Sequence, residues 1–195
     1  MFKAICLLVF LMWFVPWVGL LKLGFVLYRP YESNGQDRYW RMTGPMFSTW
    51  TPEDRIPKSC KHALILQEDQ NFYKHPGFDL QNIQQALEHN RKIDHVVLGA
   101  STLTQQLVKN LFLSREKSYL RKARELIGAI LLDRMVSKPD QLTWYFNVVE
   151  FGPRIYGIQD ASRTYFHKSP AQLSTADCKA LVSLLPAPVQ RSQKL

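Results

Sequence analysis

The sequence predicts a mostly α-helical domain that follows a single transmembrane helix. The anchor is predicted by Ala4 to Leu21, a stretch without any charged side chain. Helices are predicted because later apolar residues recur at helical spacing, and no stretch alternates between polar and apolar for long enough to form a major sheet. We therefore divide the 195 residues into an anchor (1–30), a linker (31–58) and a globular domain (59–195).

The predicted anchor continues past Lys22 with a second apolar stretch, Leu23 to Tyr28. About 20 apolar residues cross the hydrocarbon core as a helix, and Tyr28 and Arg29 are typical of the membrane interface. The alternative is a cleaved signal peptide, which is disfavoured by the length of the run and by the lack of an A-x-A-like cleavage site. More basic residues follow the span than precede it, so charge alone does not predict an inside amino terminus.

Apolar spacing and capping residues predict the first helices of the domain. A short helix ends near Gln67, and a second one covers Leu80 to Asn90. Ser101 is the predicted cap of a third helix, whose apolar stripe includes Leu103 and Leu107.

The carboxyl-terminal half is predicted to be helical as well. A long helix covers Ser118 to Val136. Four of its side chains are expected to face the core, namely Leu126, Ile127, Ile130 and Leu131. Ser137 starts a further helix with Pro139 in its first turn, and Ser169 and Ser174 each open a sequence that resembles a capping box.

Charge and cysteine content limit the classes of function. The formal net charge of +9 beside a membrane anchor indicates anionic lipid or phosphate ligands, and nucleic acid is the alternative.

The three cysteines, Cys6, Cys60 and Cys178, lack the spacing of a metal site. We expect Cys60 and Cys178 to be two buried free thiols rather than a disulfide. We expect no organic cofactor.

The first polar cluster extends from Glu68 to Phe78 and directly follows an apolar run. Glu68 and Asp69 are adjacent carboxylates at the predicted edge of the core, where a carboxylate is a candidate for general acid–base catalysis. Gly77 permits a tight turn at the end of the cluster. The alternative is a capped helix end with a solvated acidic pair.

The second cluster lies on the helix predicted after Ser101. Its polar but scarcely charged face consists of Ser101, Thr102, Gln105, Gln106 and Lys109. Hydroxyls and amides suit phosphates or sugar hydroxyls, a helix amino terminus favours an anion, and Lys109 supplies a point charge. The alternative is a buried polar seam between helices.

The last two clusters are more ambiguous. Arg121 and Glu125 lie four residues apart on one helix face. They are either an exposed ion pair or a pyrophosphate-binding guanidinium with the second carboxylate of a catalytic pair. Around Tyr145 the aromatic residues are predicted to be core residues, whereas packing explains Asn147 and Glu150 less readily.

Together and in this order, the four clusters resemble the motifs of the family 51 glycosyltransferases of peptidoglycan synthesis. Those motifs read E-D-x-x-F-x-x-H-x-G-F, G-G-S-T-x-T-Q-Q-x-x-K-N, R-K-x-x-E and Y-x-N-x-x-x-x-G. The first is matched by Glu68, Asp69, Phe72, His75, Gly77 and Phe78. The second is matched by Gly99, Ser101, Thr102, Thr104, Gln105, Gln106, Lys109 and Asn110. The others are matched by Arg121, Lys122 and Glu125, and by Tyr145, Asn147 and Gly152. Ala100 replaces the second glycine of the second motif.

The resemblance implies a role for each matched residue. Glu68 is the expected general base, and Glu125 is expected near a leaving pyrophosphate, where it holds a divalent cation (Mg²⁺ or Mn²⁺) or a water. Lys109 and Arg121 are expected to neutralise the pyrophosphate. Ligand-binding support is expected from Ser101, Thr102, Gln106 and Asn110. Structural support is expected from Asp69, Phe72, His75, Gly77 and Asn147.

The resemblance also implies a fold, a location and partners. The expected fold is lysozyme-like and mostly helical, with a small, mobile membrane-proximal lobe. The chain is expected to be a single-pass inner-membrane protein with its domain in the periplasm. Its expected ligands are lipid II and the nascent glycan strand, and other cell-wall synthesis proteins are expected partners. One span without a transpeptidase domain is typical of monofunctional members, although members usually continue with further helices beyond the position matched by Leu195.

Rival functions remain at this level. A lytic transglycosylase or muramidase also uses a carboxylate on a helical scaffold, but it needs no groups for a pyrophosphate. A non-catalytic membrane-tethered scaffold would not require both Glu68 and Glu125. Nucleic acid is not expected as a partner, because the basic residues share their faces with carboxylates.

Overall fold

The computed structural model describes Phe14 and residues 18–21, 23–28, 41–93, 101–113 and 118–194. Most of the predicted anchor therefore lies outside the described residues, as do Gly99 and Ala100. Phe14 and residues 18–21 are helical. Among the described residues, no helix combines the length and the apolar character needed to cross a membrane.

The described part of the domain is mostly helical, as predicted. The α-helices are α1 (Lys58–Glu68), α2 (Leu80–Ile93), α3 (Leu103–Phe112), α4 (Tyr119–Met135), α5 (Lys138–Val148), α6 (Gly157–Phe166), α7 (Thr175–Leu184) and α8 (Pro188–Arg191). Short 3₁₀ helices lie at Glu53–Arg55, Pro170–Gln172 and Ser192–Lys194. Ser137 caps α5 and Ser174 caps α7, and both caps confirm the prediction. The Ser169 capping box opens the 3₁₀ helix rather than an α-helix.

The strands are short and form two separate antiparallel pairs in the described chain. β1 (Val26–Tyr28) pairs with β2 (Arg41–Thr43), with Val26 opposite Thr43. β3 (Glu150–Gly152) pairs with β4 (Ile155–Tyr156) across a bulge. β1 lies in the stretch predicted to belong to the anchor, so the end of that stretch is a strand and not a helix.

The predicted helical period of α4 is confirmed, and the predicted inward face is correct in part, because Ile127 and Leu131 pack against the core. The buried residues of α4 are Glu125, Gly128, Ala129 and Leu132, whereas Leu126, Ile127, Ile130 and Leu131 are only half-buried. Close packing against α3 explains the difference, since a Cβ atom at Gly128 would lie 2.8 Å from Cγ1 of Val108. Small residues therefore form the closest contact, and Glu125 is buried with them.

The segment predicted as a linker packs on the helical domain where it is described. The Trp50 and Trp144 rings meet edge to face with their centroids 4.6 Å apart. The amide of Asn147 donates to the backbone carbonyl of Thr51 at 2.8 Å and its oxygen accepts from the Thr51 backbone N–H at 2.7 Å. Residues 41–57 thus belong to the folded unit. Phe14 also packs on the domain, with its ring centroid 4.9 Å from that of Phe112.

Cys60 and Cys178 form a disulfide that joins α1 to α7. Our prediction of two free thiols is therefore wrong. The two residues are 118 positions apart, and sequence spacing alone does not indicate which distant helices pack together. Disulfides persist in oxidising compartments, so this covalent link agrees with a domain outside the cytoplasm.

Removing this disulfide is expected to destabilise the domain. The Cys60→Ser/Cys178→Ser variant should lose about 2–5 kcal/mol of unfolding free energy, because the link restricts the unfolded chain over a long loop. Urea unfolding in detergent with and without reductant measures the effect. Reductant should lower the stability of the wild type and of Cys6→Ser, and it should leave the double variant unchanged. Equal stability of wild type and double variant would contradict the prediction.

Candidate active site

Glu68 is the last residue of α1, and its carboxylate is held by two amide side chains. Nε2 of Gln67 lies 2.9 Å from Oε1 of Glu68, and Nε2 of Gln106 lies 3.0 Å from Oε2. The phenol of Tyr145 in turn donates to Oε1 of Gln106 at 2.8 Å. Burial, followed by the Glu68 carboxylate, raises the pKa of Tyr145 well above 10.0, so the phenol stays protonated and remains a donor.

Asp69, the neighbour of Glu68, is buried and serves the scaffold. It is 1 % exposed, and its two oxygens lie 2.9 and 3.0 Å from Nε2 of His75. It also accepts the backbone N–H of Leu103 at 2.9 Å. One carboxylate therefore joins the end of α1 to the start of α3. Phe72 packs beside this pair as a fully buried ring, with the Lys138 ammonium 4.5 Å from its centroid.

Gly77 allows the turn after α1 to approach α4 closely. Its φ is +87°, and a Cβ atom at this position would lie 2.4 Å from the carbonyl oxygen of Ala129. Only glycine combines this backbone conformation with this contact. The tight turn that we predicted at Gly77 is therefore present.

Thr102, which we assigned to ligand binding, is occupied as a helix cap. Its side chain is 1 % exposed, donates to the carbonyl of Gly77 at 2.7 Å and accepts the backbone N–H of Gln105 at 3.2 Å. Gln105 completes a capping box with it. Thr102, and not the predicted Ser101, is the N-cap of α3, so the O–H donor of this buried side chain is already used. Its assignment to ligand binding stays a prediction.

Three further polar residues of α3 line a cavity. These are Gln106, Lys109 and Asn110, and the cavity has a volume of about 350 Å³. Burial is the main cause that lowers the pKa of Lys109 below its ordinary 10.5; Glu125 raises this pKa, Arg121 lowers it further, and Glu68 raises it to a smaller extent. The ammonium group of Lys109 is therefore within electrostatic range of both predicted catalytic carboxylates.

Arg121 and Glu125 form an ion pair whose carboxylate is buried and whose guanidinium is partly exposed. Glu125 is 2 % exposed, and its Oε2 accepts from the guanidinium of Arg121 at 2.6 Å. Its other oxygen accepts from the Lys122 ammonium, which also donates to the hydroxyl of Ser101 at 2.7 Å. Ser101 is thus connected to the cationic cluster through Lys122.

Beyond the α3 residues, the cavity is lined by Tyr145 of α5, by Glu150 of β3, and by residues 185–188 and Gln190. Glu150 is 8 % exposed. In the sequence, packing did not explain a carboxylate at this position. The structure shows that it lines the cavity. Asn147, predicted as a supporting residue, lies deeper and bonds to Thr51 and to the carbonyl of Thr143 at 2.8 Å.

Glu125 is the residue at which we expected a divalent cation. Both oxygens of its carboxylate already accept bonds from the cationic groups of Arg121 and Lys122. Within the described residues, no three His, Cys, Asp or Glu side chains converge as metal ligands would. This donor set does not fit a divalent cation bound by the protein alone, because the two side-chain cations occupy the positions beside the carboxylate. The expectation of Mg²⁺ or Mn²⁺ stays a prediction.

Comparison with known proteins gives matches over most of the chain. The family described as Transglycosylase matches residues 40–194. A biosynthetic peptidoglycan transglycosylase of Thiobacillus denitrificans is 44 % identical over 139 residues, which are 71 % of this chain and 60 % of that protein. Proteins of the same name from Acinetobacter baylyi and Cupriavidus metallidurans are 42 % and 39 % identical, over 77 % and 76 % of this chain and 67 % and 66 % of their own lengths.

The chain therefore spans about 60 % of the length of the Thiobacillus relative. The motifs that carried the resemblance all fall within the matched range, and so do the residues around the cavity. By its match over residues 40–194, the chain belongs to the transglycosylase family.

Proposed function

We propose that this chain is a peptidoglycan glycosyltransferase that polymerises lipid II into β-1,4-linked glycan strands. The observation that carries the proposal is the cavity beside Gln106, Lys109 and Asn110. Glu68 adjoins it through Gln106, and Arg121 and Glu125 lie within electrostatic range of Lys109. A general base and a cationic leaving-group site are the two elements that an inverting displacement from a pyrophosphate requires.

In the proposed reaction, the 4-hydroxyl of an acceptor saccharide attacks the anomeric carbon of the donor. Glu68 accepts the hydroxyl proton while the new C–O bond forms. The bond between the anomeric carbon and the pyrophosphate oxygen breaks on the opposite face, and undecaprenyl pyrophosphate leaves with the bonding electrons. The configuration at the anomeric carbon inverts.

Cationic side chains stabilise the leaving group in this proposal. Lys109 lines the cavity. Because the group is buried, its positive charge attracts a bound anion more strongly than it would in water. Arg121 offers a planar guanidinium suited to phosphate oxygens. Glu125 orients Arg121 and Lys122 by accepting a bond from each, and Asn110 adds an amide to the cavity wall.

We further propose a lysozyme-like fold and a single-pass inner-membrane location with the domain in the periplasm. The mostly helical domain supports the fold. The uncharged stretch from Ala4 to Leu21 supports the anchor, and the Cys60–Cys178 disulfide supports an oxidising compartment. Lipid II and the growing strand are the proposed ligands, and cell-wall synthesis proteins are the proposed partners.

The test uses the full chain in detergent with fluorescent lipid II. We expect a ladder of glycan strands and release of one undecaprenyl pyrophosphate for each linkage formed. Finished glycan, offered in a parallel reaction, should remain intact. Cleavage of that glycan without any polymerisation of lipid II would overturn the proposal in favour of a lytic enzyme.

A further inference from the structure

We infer that Gln67 is a positioning residue that holds the Glu68 carboxylate in its orientation for proton transfer. The inference rests on the proposed role of Glu68 as the base. Nε2 of Gln67 lies 2.9 Å from Oε1 of Glu68 and 2.9 Å from the backbone carbonyl oxygen of Val182 in α7. Its amide group has two hydrogens, so it can donate to both oxygens at once.

The two oxygens of Glu68 are held in matching ways from two directions. Gln106 donates to Oε2 at 3.0 Å and is itself fixed by the Tyr145 phenol at 2.8 Å. Gln67 donates to Oε1 and is fixed by the backbone of α7. Each carboxylate oxygen therefore has one amide donor, and each amide is anchored on a different helix. This arrangement restricts rotation of the carboxylate about its own axis.

The anchor on α7 is itself tied to the helix that carries Glu68. Cys178 and Val182 lie about one turn apart on α7, and Cys60 lies about two turns before Gln67 on α1. The disulfide and the Gln67 hydrogen bond are thus two links between the same pair of helices. The carbonyl that Gln67 uses is for this reason held at a fixed distance from α1.

Gln67 lies outside the motif that carries the family resemblance, since that motif begins at Glu68. Its side chain is exposed, so burial in the core does not explain the contact. Small errors in the placement of a catalytic group cost large factors in rate, which gives the orientation of this carboxylate a direct effect on turnover.

The test compares Gln67→Ala with Gln70→Ala in the full chain. Gln70 is an exposed glutamine three positions along the chain whose amide donates to the carbonyl of Leu66. Gln67→Ala should lower kcat for lipid II polymerisation about 10-fold, with KM unchanged. Gln70→Ala should match the wild type. Gln67→Glu should lower kcat further than Gln67→Ala, because it replaces the donor by a like charge.

If Gln67 acts by positioning Glu68, the effect of Gln67→Ala on kcat should depend on the presence of the Glu68 carboxylate. In the Glu68→Gln background, Gln67→Ala should therefore change the residual rate by less than about twofold. Equal kcat values for Gln67→Ala and Gln70→Ala, or an equal loss from Gln67→Ala in both backgrounds, would overturn the inference.

A measurement that does not require activity separates this inference from the proposed function. The side-chain amide signals of Gln67 in a ¹⁵N NMR spectrum should shift in the Glu68→Gln variant, while those of Gln70 should not. If the wild type polymerises no lipid II, the proposed function fails, and the NMR comparison still decides whether Gln67 holds the carboxylate. Unchanged Gln67 signals would overturn the inference whatever the activity.

Discussion

Glu68→Gln should lower the rate of lipid II polymerisation by about 10²–10⁴-fold while lipid II binding persists. The substitution keeps the size of the side chain but removes the group that accepts the proton. Glu68 is half-buried at the end of α1 and contacts Gln67 and Gln106. The glutamine can keep part of these contacts, so the fold and the cavity should be retained.

Initial rates on fluorescent lipid II and equilibrium binding of the same substrate measure the two effects separately. Glu88→Gln is the matched control, because Glu88 is an exposed carboxylate on α2. The control should have wild-type rates. Full turnover by Glu68→Gln would exclude Glu68 as the base, and a loss of binding equal to the loss of rate would indicate a role in substrate recognition instead.

Local patterns in the sequence predicted most of the helices and two of their caps, although the cap of α3 is Thr102 and not Ser101. Ser137 and Ser174 cap the helices that follow them because each hydroxyl accepts a backbone N–H within its own first turn. The inward face of α4 could not be predicted in the same way. Hydropathy favours Leu126 and Ile130, but α4 buries Gly128 where α3 approaches and Ala129 where the turn at Gly77 approaches.

In the candidate site too, local features were predictable and contacts between distant residues were not. The motif residues were identifiable because their types and spacing match the family motifs. The structure brings two of them, Glu68 and Gln106, into contact. The partners of the motif residues were not identifiable, because contacts such as that of Asn147 with the backbone of Thr51 link positions far apart in the chain. The cap at Thr102 was not predicted either, since the hydroxyl of this motif residue bonds to the backbone of Gly77 and Gln105.

Lys109 is the second residue whose replacement should have a large effect. Lys109→Ala should lower the polymerisation rate by about 10²–10³-fold, the usual cost of removing a group that stabilises developing negative charge. Lys109→Arg should retain part of the activity, since the guanidinium keeps the charge but not the shape of the ammonium. Lys179→Ala, on the exposed surface of α7, is the control and should match the wild type. Equal rates for the Ala and Arg variants would contradict a role that depends on charge.

The lowered pKa of Lys109 gives this role a pH dependence with a defined sign. Because burial lowers that pKa below 10.5, kcat/KM should fall on the alkaline side at a lower pH than for an ordinary lysine. In Lys109→Arg the decline in kcat/KM should begin at a higher pH, since arginine stays protonated.

The effect of Lys109 on stability has the opposite sign. The charged ammonium is disfavoured in the folded state at neutral pH, and this cost disappears as pH rises through the folded pKa. The stability of the wild type relative to Lys109→Ala should therefore increase with pH in urea unfolding, over the range in which activity declines. If kcat/KM and the stability relative to Lys109→Ala both fell as pH rose, Lys109 would support the fold rather than the leaving group.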